Sequence, residues 1–453
     1  MSDIFNKSVQ AGRSVRPAHN GRELRRVMTS SFVGSAIEFY DFILYATAAT
    51  LVFGPVFFST LDPALAIVAS YLTFAAGYAA RPLGGIIFGH FGDRVGRKKM
   101  LITSMTIMGV VSVLIGLVPP IETWGAIMLL VLRALQGIAI GGEWGGAALM
   151  SLEHAGKKNR GFAASFANAG APFGAFLGTA AMGLFALLPE DQFLAWGWRV
   201  PFLISAVLLI FGLYIRLKVS ESPLFEQAQA AAMAVKSQKP KVPLFEILRA
   251  PKTLIIIGLC GVGGFAIQAM FSTFGVSFAK ENGTSPSVAL WAFALSQLVA
   301  TFTIPFFAAI SDKIGRKRVM VTGLILMSIF AFPIYGMLAQ GSTMLTILAF
   351  MIALPLFQSM TFGPMAAFLG ESFSTGSRYT GASLGYQISS LLGAGFTPAL
   401  VASIYGAQGG VVAGSVWYLI GLCVLSALVM LFLAKESSKL DLTIDDAQPR
   451  VNA

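Results

Sequence analysis

The chain has 453 residues, of which 56% are hydrophobic and 12% are charged, and its formal net charge is +11. Its mean hydropathy of +0.75 is too high for a soluble globular protein of ordinary charge content. The basic residues are scattered among short segments between apolar runs, which excludes a concentrated nucleic-acid-binding surface. The composition therefore predicts an integral membrane protein whose partners include the lipid bilayer and no nucleic acid.

The N-terminal segment, from Met1 to Met28, is polar and basic and contains no apolar run. We predict a cytoplasmic tail over 1–28 and no cleavable signal peptide. Most of the apolar runs that follow reach the roughly 20 residues that cross a bilayer. The first six lie at 29–53, 65–90, 100–118, 123–149, 161–186 and 197–217. They predict an N-terminal bundle of six helices over 29–217.

A polar and basic stretch separates these runs from a second set. Residues 218–252 predict a cytoplasmic linker, and residues 435–453 predict a second cytoplasmic tail. The second set lies at 253–279, 288–310, 319–338, 343–369, 379–404 and 412–434. It predicts a C-terminal bundle of six helices over 253–434.

Two charged patterns repeat between the halves at nearly the same offset. The segment Gly92-Asp-Arg-Val-Gly-Arg-Lys-Lys99 returns in the second half as Ser311-Asp-Lys-Ile-Gly-Arg-Lys-Arg318. The pair Glu153 and Arg160 returns there as Glu371 and Arg378, with the same spacing within the pair. Such an internal repeat is typical of transporters built from two equivalent halves.

The distribution of positive charge predicts the orientation. Of the 32 lysines and arginines, 28 lie in the two tails, the even-numbered loops and the linker, whereas the odd-numbered loops hold only Arg199 and Lys280. By the positive-inside rule, both termini and the linker are predicted to be cytoplasmic.

Five charged residues remain inside the apolar runs: Glu38, Asp41, Arg81, Arg133 and Glu143. Each would cost at least about 2.5–3.5 kcal/mol at the bilayer centre if it faced lipid, so they are predicted to face a polar cavity or one another. A buried arginine keeps its charge, whereas a buried carboxylate can exchange its proton. We therefore predict an anion-binding role for Arg133 and Arg81. One of the three acids would carry a proton, with Asp41 preferred over Glu38 and Glu143.

Other readings of these charges stay open at this point. Arg81 could equally pair with Asp41 or Glu38 across the bundle, and Glu143 could form a structural salt bridge. Polar side chains from both halves are predicted to line the same cavity, although each could instead form an interhelical hydrogen bond. They are Gln136, Tyr40, Asn168, Tyr386 and Gln387. Glycines repeating every four residues, at 137, 141 and 145 and at 170, 174 and 178, predict close helix packing.

Several motifs resemble those of the major facilitator superfamily. The run Gly89-His-Phe-Gly-Asp-Arg-Val-Gly-Arg-Lys-Lys99 resembles its loop signature, and Arg133-Ala-Leu-Gln-Gly137 resembles its fourth-helix signature. Five further motifs resemble those of its metabolite:proton symporter branch. They are Ala36-Ile-Glu-Phe-Tyr-Asp-Phe42, Arg81-Pro-Leu-Gly-Gly85, Gly141-Gly-Glu-Trp-Gly-Gly146, Trp196-Gly-Trp-Arg-Val-Pro-Phe202 and Arg378-Tyr-Thr-Gly381. That branch includes carriers of shikimate, citrate, α-ketoglutarate, dicarboxylates, proline and betaine.

The resemblance implies an all-α membrane protein with twelve transmembrane helices in two pseudo-symmetric six-helix bundles, located in the bacterial inner membrane. It also implies a cytoplasmic gate at the repeated turns. The predicted gate residues are Asp93, Arg94, Arg97, Lys98, Glu153, Arg160, Asp312, Arg316, Glu371 and Arg378. We expect these to form exposed ion pairs worth roughly 0–1 kcal/mol each, weak enough to break in every cycle. Without the resemblance, they could simply be topological charges.

These features predict a secondary active transporter that takes up a small organic acid or zwitterion with protons, by alternating access and as a monomer. The alternative is a proton-coupled exporter or antiporter, because Gly170-Ala-Pro-Phe-Gly174 partly resembles an antiporter pattern. An enzyme is not expected, because the three histidines are peripheral and the two cysteines are isolated. We predict no cofactor and no bound metal.

Overall fold

The structure is a computed structural model, and it describes residues 21–221, 226, 251–374 and 377–440. Parts of three predicted segments lie outside these residues: 1–20 of the N-terminal tail, nearly all of the linker from 222 to 250, and 441–453 of the C-terminal tail. The described chain is almost entirely helical, in twelve long segments.

The two halves contribute six segments each. The first six are α1 (Gly21–Leu51), α2 (Pro63–Val95), α3 (Arg97–Leu117), α4 (Glu122–His154), α5 (Arg160–Phe185) and α6 (Glu190–Leu217). The second six are α7 (Pro251–Glu281), α8 (Pro286–Ile314), α9 (Arg316–Leu338), α10 (Thr343–Glu371), α11 (Arg378–Ala407) and α12 (Ala413–Phe432). Within the described residues, nine of these segments are long and apolar enough to cross a membrane.

Local turns of π-helix interrupt four segments, and a short helix at Phe53–Phe57 continues α1. α1 starts at Gly21, well before the apolar run that begins near residue 29. Hydrogen bonding therefore extends this helix beyond the part that hydrophobicity alone marks.

A single glycine joins the second and third helices of each half. Gly96 lies between α2 and α3 with φ of 118°, and Gly315 lies between α8 and α9 with φ of 106°. Glycine is favoured at both because a side chain at positive φ would clash with the backbone. These two turns mark one end of the molecule, which we call the basic-turn end; the opposite end is the far end.

Glycines bring helix backbones into contact. A Cβ atom at Gly137 of α4 would overlap the carbonyl oxygen of Gly77 in α2, and one at Gly174 of α5 would overlap that of Ala36 in α1. The predicted small-residue packing is confirmed at these positions. Gly145 differs, because it faces Ser383 of the other half. α1 thus lies directly against α5, and α2 lies directly against α4.

The two halves pack together toward the basic-turn end. One large hydrophobic cluster includes residues of both halves, and its first-half members, among them Leu101, Trp144 and Ala167, lie toward that end. A second cluster at the far end, around Phe53 and Trp198, contains residues of the first half alone. The described helices are therefore closed against each other at the basic-turn end.

Candidate functional site

One face of α1 carries the predicted proton-binding acids. Glu38, Asp41, Phe42 and Tyr45 follow one another along this helix at spacings close to one turn or less, so they share this face. All four side chains are buried inside the first half, and Asp41 has no exposed surface. The helix thus presents two carboxylates and two aromatic rings to the interior of the first half.

The Phe42 ring is shared by the two arginines of the central region. The guanidinium carbon of Arg81 lies 4.6 Å from the ring centroid, and that of Arg133 lies 4.8 Å from it. Tyr78 and Tyr45 add a second ring to each, at 4.4 Å from Arg81 and 4.3 Å from Arg133. Such cation–π contacts hold a guanidinium in an apolar environment through its face, while hydrogen bonds are donated from its edge.

The carboxylates are near the arginines but do not form close ion pairs with Arg81. Among the described residues, no carboxylate oxygen lies within 4.0 Å of the Arg81 nitrogens, and its Nε and Nη2 atoms have no hydrogen-bond partner. Glu38 is within electrostatic reach of Arg81, and Asp41 is within reach of Arg133. The alternative in which Arg81 pairs directly with an acid is therefore not seen in this conformation.

A glycine makes room for Arg133. A Cβ atom at Gly77 of α2 would lie 2.6 Å from Arg133 Nε. A larger residue there would displace the guanidinium, since this distance is shorter than a van der Waals contact. The close approach of α2 and α4 therefore also positions the central arginine.

A hydrogen-bonded series leads from Arg133 to Asp41. Arg133 Nη1 donates to Gln136 Oε1 at 2.5 Å, and Gln136 Nε2 donates to Ser112 Oγ at 2.8 Å. Ser112 also interacts with the Asp41 carboxylate, and Ser205 Oγ donates to Asp41 Oδ1. The second oxygen, Asp41 Oδ2, has no hydrogen-bond partner among the described residues. Asp41 therefore has a position for a proton, linked to the arginine by neutral groups.

Glu143 forms a buried ion pair with an arginine that the sequence did not single out. Arg216 Nη2 contacts Glu143 Oε1, and the two side chains are 3% and 1% exposed. Ser104 Oγ donates to Glu143 Oε2 at 2.7 Å, and Arg216 Nη1 donates to the Leu101 carbonyl oxygen at 2.9 Å. A Cβ atom at Gly34 would overlap this pair. Counting Arg216 among the loop charges was wrong, because its side chain turns back into the bundle.

Once Arg216 is included, the buried positive and negative charges in the described part of the first half, apart from the gate residues, are equal in number. We call this group the six-charge cluster; it consists of Glu38, Asp41, Glu143, Arg81, Arg133 and Arg216. When all six are ionised, the three arginines and three carboxylates sum to zero. The sequence inventory contained three acids and two cations, and that imbalance was the available signal that a further cation was missing.

The remaining predicted cavity residues make contacts within or between the halves. Trp144 stacks on Tyr386 with ring centroids 3.8 Å apart, and Trp144 Nε1 donates to Asn168 Oδ1 at 2.6 Å. Gln387 Nε2 donates to the Gly141 carbonyl oxygen at 3.3 Å, and Tyr40 Oη donates to that of Pro201 at 2.9 Å. The structure places Tyr386, Gln387 and Asn168 at the contact between halves and Tyr40 within the first half.

The first repeated turn binds a helix end of the other half. Asp93 at the end of α2 accepts hydrogen bonds from the backbone N–H groups of Tyr379 and Thr380, at 3.2 and 3.1 Å, in the first turn of α11. It also accepts one from Thr380 Oγ1 at 2.9 Å. Glu153 pairs with Arg97 of its own half and, at 3.2 Å, with Arg378 of the other half. A carboxylate at a helix N-terminus is stabilised by the free N–H groups and the helix dipole.

The second turn repeats this arrangement with the halves exchanged. Asp312 accepts from the N–H groups of Gly161 and Phe162, each at 2.9 Å, in the first turn of α5. Glu371 lies 3.3 Å from Arg316 of its own half and 3.9 Å from Arg160 of the other half. The two turns thus form one pseudo-symmetric set of contacts across the basic-turn end.

Two expectations about these residues need correction. The inter-half ion pairs are not exposed: the side chains of Glu153, Glu371 and Arg378 are at most 1% exposed. Closely packed helix ends exclude water from them, so the small energies of surface ion pairs do not apply. Arg94 is exposed, and Lys98 Nζ donates to the Leu217 carbonyl oxygen of its own half. Neither residue contributes a described contact between the halves.

The chain is similar to known transporters over most of its length. The family described as "Sugar (and other) transporter" matches residues 27–446. The shikimate transporter of Escherichia coli (strain K12) is 38% identical over 426 residues, covering 92% of this chain and 95% of that protein. The proline/betaine transporter of the same strain is 32% identical over 391 residues, covering 84% of this chain and 77% of that protein. The chain belongs to this transporter family of the major facilitator superfamily. It is a membrane-spanning carrier of small molecules and not an enzyme.

Solved structures agree on the fold. The proton:xylose symporter XylE with bound 6-bromo-6-deoxy-D-glucose has a TM-score of 0.77 to this transporter at 18% sequence identity. The alignment covers 92% of this chain and 97% of that one. The predicted all-α fold, with twelve transmembrane helices in two six-helix bundles, is confirmed.

Two further carboxylates of the transporter were missed in the sequence. Glu221, after α6, accepts hydrogen bonds from the backbone N–H groups that begin α3, and Glu436, after α12, does the same for α9. Burial would raise the pKa of Glu436, but hydrogen bonds from the backbone of Ser438, Arg316 and Lys317 outweigh it and hold the pKa below its ordinary value. The separation of Glu221 and Glu436 is close to the offset of the repeated turns, and this was a usable signal.

Proposed function

We propose that this transporter takes up a small organic carboxylate together with protons, by symport across the bacterial inner membrane. The observation that carries the proposal is the charge balance of the six-charge cluster beside the contact between the halves. A carboxylate entering a neutral buried cluster would add an uncompensated negative charge, which is costly at low dielectric. A proton taken up by Asp41 would restore neutrality.

The arginines and Asp41 would have separate roles in this cycle. Arg133, held by two aromatic rings and Gly77, would bind the carboxylate of the substrate, and Arg81 would add a second positive charge. Asp41 would accept the proton at Oδ2, the oxygen without a hydrogen-bond partner among the described residues. Because Ser112 and Gln136 connect the two sites, binding at one changes the hydrogen bonding at the other. Each event thereby favours the other.

The excess of positive charge at the basic-turn end supports a cytoplasmic location for that end, with both termini inside. The described contacts between the halves would then close the cytoplasmic side, as expected of an outward-facing carrier. Opening would require α11 to leave Asp93 and α5 to leave Asp312. The loaded, electrically neutral site would permit this change more readily than a charged one.

The similarity to the shikimate transporter supports a substrate like shikimate, a cyclic hydroxy acid with one carboxylate. A compact acid of this kind would place its single carboxylate on Arg133, and one proton on Asp41 would balance its charge. The charge balance then predicts one proton for each substrate carboxylate, so that uptake of a monocarboxylate is electroneutral.

The test is proton movement in vesicles that contain the purified protein and an internal pH dye. Shikimate, other small mono- and dicarboxylates, proline and betaine are added outside, one at a time. We expect internal acidification with a monocarboxylate. A potassium diffusion potential set with valinomycin should leave its rate unchanged, because no net charge moves.

Other outcomes would redirect the proposal. Acidification with betaine or proline, accelerated by a negative interior potential, would mean that the carrier takes a zwitterion with an extra positive charge. Alkalinisation of the interior on substrate addition would mean exchange against protons, as in an antiporter. Substrate movement without any pH change would overturn proton coupling altogether.

A further inference from the structure

The Glu143–Arg216 pair is buried inside the first half. The groups that face Glu143 come from several helices: Arg216 of α6, Ser104 of α3, and the charge of Glu38 of α1 within electrostatic reach. Tyr379 of α11 is also within reach of its charge. Apart from Tyr379, all of these belong to the first half. The direct contacts of the Glu143 carboxylate, with Arg216 and Ser104, are therefore within the first half.

A small cavity adjoins Arg216 on the side of the basic-turn end. Its lining includes Ser30, Ser31, Lys98 and Arg216. It has room for about one water molecule and is too small for an organic anion. Arg216 Nε is buried and has no hydrogen-bond partner among the described residues, although its side chain lines this space. An unpartnered donor beside a cavity of this size indicates a site for water.

The three buried acids lie at successive positions along the bundle axis, leading toward this cavity. α1 runs from the basic-turn end to the far end, so Glu38 lies about one turn nearer the basic-turn end than Asp41. α4 runs in the opposite direction, and Glu143 lies beyond Gln136 toward the same end. From the far end toward the basic-turn end, the order within the first half is thus Asp41, Glu38, Glu143 and the cavity. Glu38 Oε2 has no hydrogen-bond partner among the described residues, which leaves it available to hold a proton.

We propose that protons leave through the interior of the first half, with the Glu143–Arg216 pair as the barrier in a route separate from the substrate path. The inference rests on the proposed proton coupling. The proton passes from the Asp41 carboxyl group to the Glu38 carboxylate and from there to the Glu143 carboxylate, which leaves Asp41 and Glu38 negative and Glu143 neutral. Neutral Glu143 loses its ion pair with Arg216 and then gives the proton to water in the cavity. Arg216 stays positive throughout.

This arrangement explains how a carrier could hold a proton route without leaking. While Glu143 is ionised, its carboxylate is held in the ion pair with Arg216 and by the hydrogen bond from Ser104, and these contacts keep it from exchanging a proton with the cavity water. The route conducts only after Glu143 has been protonated from within the site. Arg216 acts as a positioning residue, because it holds the Glu143 carboxylate and neither binds substrate nor takes up the proton itself.

The decisive variant is Arg216→Ala, tested in vesicles without substrate. An imposed pH gradient should collapse at least 10-fold faster than in wild-type vesicles, because no ion pair then keeps Glu143 from exchanging a proton with the cavity water. Arg216→Lys keeps the charge and should restore a slow leak. Lys157→Ala, an exposed residue in the turn before α5, serves as the control and should behave like wild type. Folding of each variant is checked by gel filtration and thermal unfolding in detergent.

A second variant tests the cavity without touching the ion pair. Ser30→Leu places an apolar side chain in the cavity and should slow substrate-driven acidification at least fivefold. Exchange of labelled for unlabelled substrate, which needs no net proton release, should be unchanged. Equal slowing of acidification and exchange would mean that the substitution only disturbs packing and would count against the route.

The outcomes separate this inference from the proposed function. If wild type shows symport but folded Arg216→Ala vesicles leak no faster and accumulate substrate normally, the pair is a structural salt bridge and the route is wrong. If wild type shows no symport while Arg216→Ala leaks, the route stands and the proposed function fails.

Discussion

The two halves share one fold but differ in their interiors. In the described part of the first half, six ionisable groups lie buried away from the gate residues. In the described part of the second half, the buried charges, Arg316, Glu371 and Arg378, all lie at the basic-turn end, and the rest of the interior is apolar, aromatic or polar but uncharged. Pseudo-symmetry therefore holds for the gate and fails for the centre.

This difference indicates a division of roles. A rigid, hydrogen-bonded charge cluster suits recognition of an anion and of a proton, since both require fixed electrostatics. A surface of aromatic rings and small polar groups, such as that around Tyr386 and Phe265, can change its contacts at little electrostatic cost. The first half would then bind and couple, while the second half closes over the site.

The largest expected effect comes from removing the central arginine of the first half. Arg133→Ala should weaken carboxylate binding by at least about 30-fold, because truncating one member of a buried charge pair costs about 2–5 kcal/mol. Binding of labelled substrate to the protein in detergent measures this directly. Lys280→Ala, at an exposed site in the second half, is the control. Affinity within threefold of wild type would remove Arg133 from the site.

The next effect tests whether the gate is as symmetric as it looks. Glu153 is 3.2 Å from its inter-half arginine, whereas Glu371 is 3.9 Å from its own. Glu153→Gln should therefore favour opening at the basic-turn end by about 10-fold, equivalent to about 1.4 kcal/mol. Glu371→Gln should favour this opening by a smaller factor, because the inter-half contact that it weakens is longer.

Cysteine labelling can measure this opening. With Cys260→Ser and Cys423→Ser as background, Ser383→Cys places a thiol in the closed contact between the halves, where Ser383 is fully buried. A polar maleimide should label it faster when the gate opens. Equal rates in wild type and Glu153→Gln would mean that the ion pairs do not hold the gate.

A smaller effect is expected in the aromatic surface of the second half. Tyr386→Phe keeps the stack on Trp144 and should change transport less than threefold. Tyr386→Leu removes the stack, which is worth about 0.5–1.5 kcal/mol, so a reduction of about fivefold in uptake is expected. A loss of binding as large as that of Arg133→Ala would show that the second half also carries recognition, contrary to the division of roles.

The smallest effect concerns a feature that both halves share. Because the folded-state pKa of Glu436 lies below its ordinary value of 4.5, its stabilising effect is present above pH 4.5 and is lost as the pH falls through the lowered pKa. Helix capping is worth about 0.5–2 kcal/mol, and partial exposure places Glu436 at the low end.

Thermal unfolding in detergent checks this contribution. Glu436→Gln should lower the Tm slightly at pH 7, and the difference from wild type should shrink as the pH falls below 4.5. A difference that stays constant over this range would mean that the carboxylate charge is not what stabilises the start of α9.

The sequence predicted the fold and the five buried charges of the first-half apolar runs, because both leave strong local signals. Apolar runs and the repeated turns mark the helices and the two halves, and a charge inside an apolar run is conspicuous. Arg216 escaped because it lies near the end of its run, where hydropathy cannot distinguish a side chain that points to water from one that turns inward. Only the packing of α6 against Gly34 and Glu143 reveals its direction.

The burial of side chains and the identity of their neighbours also could not be predicted from the sequence. The gate residues were correctly seen as repeated, but sequence spacing does not show that the helix ends exclude water from Glu153 and Arg378. Likewise, Phe42 gave no signal of its own, since an aromatic residue in an apolar run is ordinary. Its position between two arginines depends on how closely α2 and α4 approach.

The central claim is that a carboxylate in the first half links substrate to proton, and Asp41→Asn tests it most directly. The substitution keeps the shape and can still accept from Ser205, but it cannot take up a proton. In one set of vesicles, labelled substrate is followed with and without an imposed pH gradient. The account predicts that exchange persists while gradient-driven accumulation is abolished. Accumulation at the wild-type level in Asp41→Asn would contradict it.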